Sequence, residues 1–250
     1  MMNTQRLVLI SGGAGGIGSA LCTSFCQQGY AVGIGYSSNR HKAEALAEEL
    51  NAQGGQALAV AMEYESRASI RDAMTRVTEH FRLPVSILIN NGALAQEKPF
   101  DTIKDQDWER MLSINLQGPF IAVQEALQGM RQQQWGRVIN ITSIGGQWGG
   151  FNQVHYAASK AALINFTQSI AKIYSREGIA SMAVAIGLVA TEMSARELTT
   201  EAGKEKVRNI PADRLAYADE VAKQVLHLCQ EESFYLTGQT INMNGGMYFG

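Results

Sequence analysis

The sequence predicts an α/β fold: a doubly wound parallel sheet of about seven strands with helices on both faces, in one domain covering residues 1–250. Three observations carry that expectation. The chain has 250 residues, enough for one sizeable core without a second domain. Short, almost wholly apolar runs recur along it, as in strands buried on both faces. Between them lie stretches with apolar residues at helical spacing, joined by a few residues each, which is the alternation of a strand–helix–strand repeat.

In chain order the strands are LVLI (7–10), AVGIG (31–35), ALAVAM (57–62), SILIN (86–90), RVINI (137–141), SMAVAI (181–186) and TINM (240–243). Ile17, Leu21, Ser24, Phe25 and Gln28 mark the first helix, which Gly29 closes. Ala43, Leu46, Ala47 and Leu50 mark the second, closed by Gly54 and Gly55; Ile70, Ala73, Met74, Val77 and Phe81 mark the third. The ligand crevice of such a sheet lies at the carboxyl ends of its strands.

Composition narrows the partners. A formal net charge of -2 offers no basic face for nucleic acid and no cationic helix for a membrane surface, so the expected ligands are small molecules. The N-terminal MMNTQRLVLISGG contains an apolar run too short for a signal-peptide core or a spanning helix, and a cytoplasmic location is the expectation. Cys22 and Cys26 stand one helical turn apart and Cys229 is alone. A redox pair or half a metal site would need partners that the scattered His41, His80, His155 and His227 do not supply, so core packing is expected and no metal.

ISGGAGGIGSAL (10–21) falls on the first strand-to-helix turn and has five glycines between Gly12 and Gly18. Glycines there let the backbone approach a pyrophosphate, whose charge meets the free N–H groups of a helix N-terminus. Two registers fit: Gly13, Gly15 and Gly18 as G-x-G-x-x-G, or Gly12, Gly16 and Gly18 as G-x-x-x-G-x-G. At the end of the second strand, GYSSNRHK has no acid for a ribose 2′-hydroxyl. Ser37, Ser38, Asn39 and Arg40 suit a 2′-phosphate, which favours NADP; alternatively, Ser37 to Asn39 cap the next helix and Arg40 is solvated.

Further along, YAASK puts Tyr156 and Lys160 on one helical face. Alone that is a weak signal, equally an exposed pair. Ser143 follows the fifth strand thirteen positions earlier, and Asn115 is polar within an apolar helical stretch, where a buried amide needs a partner.

Together these residues resemble the short-chain dehydrogenase/reductase family over essentially the whole chain, and within it the 3-oxoacyl-[acyl-carrier-protein] reductases, chiefly through the C-terminal NGGMYFG. SGGAGGIG is similar to that family's Thr-Gly-x-x-x-Gly-x-Gly turn with Ser11 for Thr, and NNG (90–92) to its Asn-Asn-Ala-Gly. The resemblance selects Gly12, Gly16 and Gly18, leaving Gly13 and Gly15 as flexible filling. It implies a Rossmann-type fold and an NADPH-dependent oxidoreductase acting on CH–OH/C=O groups. Asn115, Ser143, Tyr156 and Lys160 would form the catalytic tetrad: Tyr156 as acid, its pKa drawn toward working pH by Lys160 and by the positive nicotinamide of the oxidised complex, and Asn115 holding a water for proton relay. Ser11, Gly12, Gly16, Ile17, Gly18, Ser37, Ser38, Asn39, Arg40, Glu63, Tyr64, Asn91, Gly92, Tyr156, Lys160, Gly187, Val189 and Thr191 would bind the cofactor.

The resemblance also implies a homotetramer and a lid at about 190–212. The implied substrate is a 3-oxoacyl thioester, either free of or carried on an acyl-carrier protein. His155, Gln147, Trp148 and Phe151 are expected to line its pocket, and Arg131, Arg137, Lys172 and Arg176 are the cations close to the site in sequence. The family's usual Pro-Gly after the sixth strand is replaced by Ile186-Gly187. A dehydrogenase for another ketone, sugar or alcohol, or a dinucleotide-binding protein without turnover, are the alternatives.

Overall fold

The computed structural model describes residues 5–191 and 200–250. Its main sheet has seven parallel strands in the order β3-β2-β1-β4-β5-β6-β9. They are β1 (Leu7–Ile10), β2 (Ala31–Tyr36), β3 (Gln56–Ala61), β4 (Val85–Asn90), β5 (Gly136–Ser143), β6 (Ile179–Ile186) and β9 (Thr240–Met243). A small pair, β7 (Val189–Ala190) with β8 (Ala216–Tyr217), has no counterpart in the apolar runs because two residues carry no periodicity. The expected Rossmann-type α/β architecture is therefore present, and β5 and β6 extend beyond their apolar cores.

Helices α1 (Gly16–Gln27), α2 (Arg40–Ala52) and α9 (Ala218–Leu228) cover one face of the sheet. On the other lie α3 (Arg67–Phe81), α5 (Gly118–Gln133) and α7 (Val154–Tyr174). Alternation along β1 explains the division: Val8 and Ile10 join the first core with Leu21 and Phe25, while Leu7 and Leu9 join the second with Ile70 and Val77. Shorter helices are α4 (Asp105–Leu112), α6 (Gly145–Trp148) and α8 (Glu201–Arg208). Strand order reverses between β1 and β4, so a crevice opens at their carboxyl ends.

Cys22 and Cys229 are buried in the first core with Cys26, as packing residues. Among the described residues no cluster of His, Cys, Asp and Glu could hold a metal, and no helix is long and apolar enough to cross a membrane. Part of the expected lid, 192–199, lies outside the described residues; its remainder contains α8, which Thr200 caps by accepting a hydrogen bond from Gly203.

Candidate active site

The glycine turn joins β1 to α1. Gly12 adopts φ +61°, and a side chain there would press on the Gly92 backbone. A Cβ on Gly18 would strike the Gly12 carbonyl, and one on Gly16 would come 2.9 Å from Thr191 Cγ2. Gly13 is not flexible filling: its Cβ would meet Ile34 2.8 Å away and Cys22 3.2 Å away. Gly15 is the least crowded of the five, its Cβ 3.3 Å from the Gly12 carbonyl oxygen. No side chain caps α1, whose N-terminal N–H groups face the crevice together with the half-buried Ile17. That bare, glycine-lined helix end fits a dinucleotide pyrophosphate.

Ser11, Tyr64 and Asn91 use their side chains on the protein. Ser11 Oγ accepts from the Asn91 and Gly92 N–H groups at 3.0 and 2.9 Å, and Asn91 Nδ2 donates to the Ser11 and Gly12 carbonyls. Tyr64 is buried with its hydroxyl against Ser11 and Asn90. These side chains brace the turn against β4 and the end of β3. Glu63 stands exposed at the end of β3, its N–H bonded to Ser69.

Ser37, Ser38, Asn39 and Arg40 are exposed at the carboxyl end of β2. Asn39 precedes α2 without a side-chain cap, so helix capping does not occupy it. Arg40 pairs with Glu44 at 2.8 Å on the helix surface.

Beyond β4, residues 91–98 form a strap over the start of α7. Asn115 holds it: Nδ2 donates to the Leu94 carbonyl (2.9 Å) and Ser159 Oγ (3.1 Å), and Oδ1 accepts from Leu94 N–H (2.8 Å). The partner that a buried amide required is thus a peptide group. A π-helical turn, Ser113–Gln117, presents Asn115 there. Two further ties were not legible in the sequence: Gln96 to His155 at 3.0 Å and Lys98 to Asp107.

Ser143 ends β5 and Tyr156 and Lys160 lie on the first turns of α7, so the crossover brings all three to one place. The Tyr156 hydroxyl lies beside Ser143, whose Oγ accepts from the Gly145 N–H at 3.1 Å, and Lys160 Nζ donates to the Ile141 carbonyl at 2.9 Å while standing 5.7 Å from the Tyr156 ring centroid. Burial raises the Tyr156 pKa above its ordinary value, opposed by Ser143. Burial also brings Lys160 down to about 8, because its bonds are to neutral groups.

His155 is completely buried, its Nε2 3.0 Å from Gln96 Oε1. Trp148 packs edge-on to Tyr248, Phe151 is fully exposed, and Gln147 borders a depression with Ile164, Gln168 and Thr240. Arg131, Arg137, Lys172 and Arg176 lie toward the opposite end of the chain's sheet; Lys172 is about 24 Å along α7 from Tyr156. Gly187 packs on Asn244, and β6 continues through Ile186, paired with Ser143 and Met243, where proline would interrupt it. Val189 and Thr191 follow on the crevice side.

A family model described as short chain dehydrogenase matches residues 6–202. The chain belongs to the short-chain dehydrogenase family. Its reaction class is therefore that of an oxidoreductase, and the family's cofactor is a nicotinamide dinucleotide. Among similar short-chain dehydrogenases is the 3-oxoacyl-[acyl-carrier-protein] reductase of Aquifex aeolicus, 37% identical over 246 residues, covering 97% of each chain. The enzymes of the same name from Pseudomonas aeruginosa and Staphylococcus epidermidis are 33% identical, over 97% of each chain, and 31% identical, over 98% of this chain and 99% of the relative.

Proposed function

We propose that this chain is an NADPH-dependent carbonyl reductase that converts 3-oxoacyl thioesters to 3-hydroxyacyl thioesters. The observation that carries this reading is the half-buried Tyr156 phenol beside Ser143 at the carboxyl end of β5, with Lys160 bonded to the Ile141 carbonyl and 5.7 Å from the phenol ring. The names of the similar reductases support the thioester class.

Gly12, Gly16, Ile17 and Gly18 would receive the pyrophosphate, and Ser37, Ser38, Asn39 and Arg40 the 2′-phosphate. Gly92, Gly187, Val189 and Thr191 would line the path to the nicotinamide, whose ribose Lys160 would bond. When bound, the dinucleotide supplies hydride to the carbonyl carbon. Ser143 Oγ orients the carbonyl oxygen. Tyr156 Oη, kept protonated by burial, gives its proton to that oxygen. The Lys160 ammonium stabilises the phenolate left behind. Asn115 fixes Leu94 and Ser159 next to Lys160, where a held water would return the proton.

An apolar groove of Trp108, Leu112, Leu116, Phe120 and Phe166 supports assembly of this cytoplasmic enzyme into a homotetramer. A carrier protein would dock on the crevice side or across subunits, since the four expected cations lie elsewhere on the single chain.

The test is NADPH and NADH oxidation by the purified chain on acetoacetyl thioesters beside a panel of ketones, sugars and alcohols. Turnover of the thioester with NADPH is expected, and Arg40→Ala raises the NADPH KM about tenfold. An NADH preference overturns the 2′-phosphate site; activity confined to other carbonyls replaces the substrate class. Binding without any turnover leaves the non-catalytic alternative.

A further inference from the structure

Five interior side chains form one hydrogen-bonded line beneath the crevice. The Tyr64 hydroxyl stands 2.6 Å from Ser11 Oγ and 2.6 Å from Asn90 Oδ1 with its one proton between the two acceptors, and Ser11 Oγ donates in turn to the Ile89 carbonyl at 3.3 Å. Asn90 Nδ2 donates to Asn140 Oδ1 at 2.7 Å, Asn140 Nδ2 donates to Thr167 Oγ1 at 2.8 Å, and Thr167 donates to the Leu163 carbonyl at 2.8 Å. Asn90 and Asn140 face each other directly in the β4–β5 register. Asn140 and Thr167 are fully buried, and Asn90 is 2% exposed. Apolar side chains of the same shape could fill such a site at little cost in stability, so its directionality calls for a reason.

The placement of the line on β5 and α7 supplies one. Polar groups of these two elements meet at three heights: Ser143 stands beside Tyr156, the Ile141 carbonyl accepts from Lys160, and Asn140 donates to Thr167. Thr167 lies seven residues after Lys160, on the same stripe of α7. Apolar contacts let a helix slide by fractions of an ångström, whereas a bond to a fixed strand side chain does not. The first two meetings involve groups that change charge or partner during turnover. The third does not.

We propose that Asn140 and Thr167 are positioning residues that hold α7 in register on β5, and that Asn90 and Tyr64 tie this register to the dinucleotide turn at Ser11. The proposal rests on Tyr156, Ser143 and Lys160 being the reacting groups. None of the residues in the line touches the carbonyl substrate; they act through Tyr156 at one end and the Ser11 turn at the other.

Thr167→Val keeps the shape and removes the hydroxyl; Thr167→Ser restores it without the methyl. Measured at saturating NADPH with a carbonyl substrate that the parent turns over, Thr167→Val lowers kcat about tenfold at unchanged substrate KM. Thr167→Ser returns kcat to within about twofold of the parent, although its lost methyl lowers the Tm. A kcat for Thr167→Val equal to the parent's, or one that tracks Tm across the three proteins, overturns the proposal.

At the far end, Tyr64→Phe keeps the ring packed on Gly118 and raises the NADPH dissociation constant about fivefold, read by nicotinamide fluorescence without turnover. An unchanged constant breaks the link to the turn, and this arm decides the matter if the valine variant does not fold. An inactive parent, or a Tyr156→Phe variant as active as the parent, instead faults the underlying assignment.

Discussion

Arg137 at the start of β5 and Lys160 beside its far end are both buried cations, and their surroundings differ completely. Arg137 stacks 4.2 Å from the Trp135 ring centroid, donates to Glu231 at 3.2 Å and to the Gly136 carbonyl at 2.8 Å. Glu231 also takes bonds from Arg6 and Trp135. Lys160 has the Ile141 carbonyl and the Tyr156 ring 5.7 Å away, with no carboxylate paired to it among the described residues. Burial lowers both pKa values, but a guanidinium starts so high that it stays charged, whereas the ammonium arrives at about 8. A neutralised cation holds the sheet together; an unneutralised one is available for chemistry.

Exchanging the two roles is the sharpest way to break this comparison. Lys160→Met removes a buried charge at constant length, so kcat falls on the order of 10³-fold while the free energy of unfolding drops by no more than about 1 kcal/mol. Glu231→Gln does the reverse: stability by chemical denaturation falls about 1–3 kcal/mol and kcat stays within twofold of the parent. A Lys160→Met protein that unfolds, or a Glu231→Gln protein with lost turnover, would make the distinction meaningless.

A smaller effect sharpens the picture of the cofactor turn, where space rather than charge decides. Gly18→Ala drives a methyl into the Gly12 carbonyl and weakens NADPH binding more than tenfold; Gly13→Ala strains the turn against Ile34 and costs several-fold; Gly15→Ala is within about twofold. Titration of NADPH fluorescence ranks them. An order in which Gly13→Ala matches Gly15→Ala would mean that Ile34 and Cys22 yield easily.

This ranking also shows where the sequence stopped being informative. Strand runs such as Leu7–Ile10 were legible because burial on both faces leaves only apolar residues, and Tyr156 with Lys160 because helical spacing alone puts them together. What Gly13 packs against depends on β2, some twenty residues away, and no local pattern encodes that. Asn115 announced that it needed a partner but not that Leu94, on a strap without periodicity, would be it.

The pH dependence of carbonyl reduction tests the central claim most directly. Reduction requires a protonated phenol, which burial secures, and a charged Lys160, which is present below about 8 and lost above it. The value of kcat/KM, which reports the free enzyme, is therefore level between about pH 6 and 7 and declines toward tenfold per unit above pH 8. Lys160→Arg, charged throughout, loses that decline. A parent profile that stays level to pH 10 would contradict the account, because the buried cation would then have no part in the reaction.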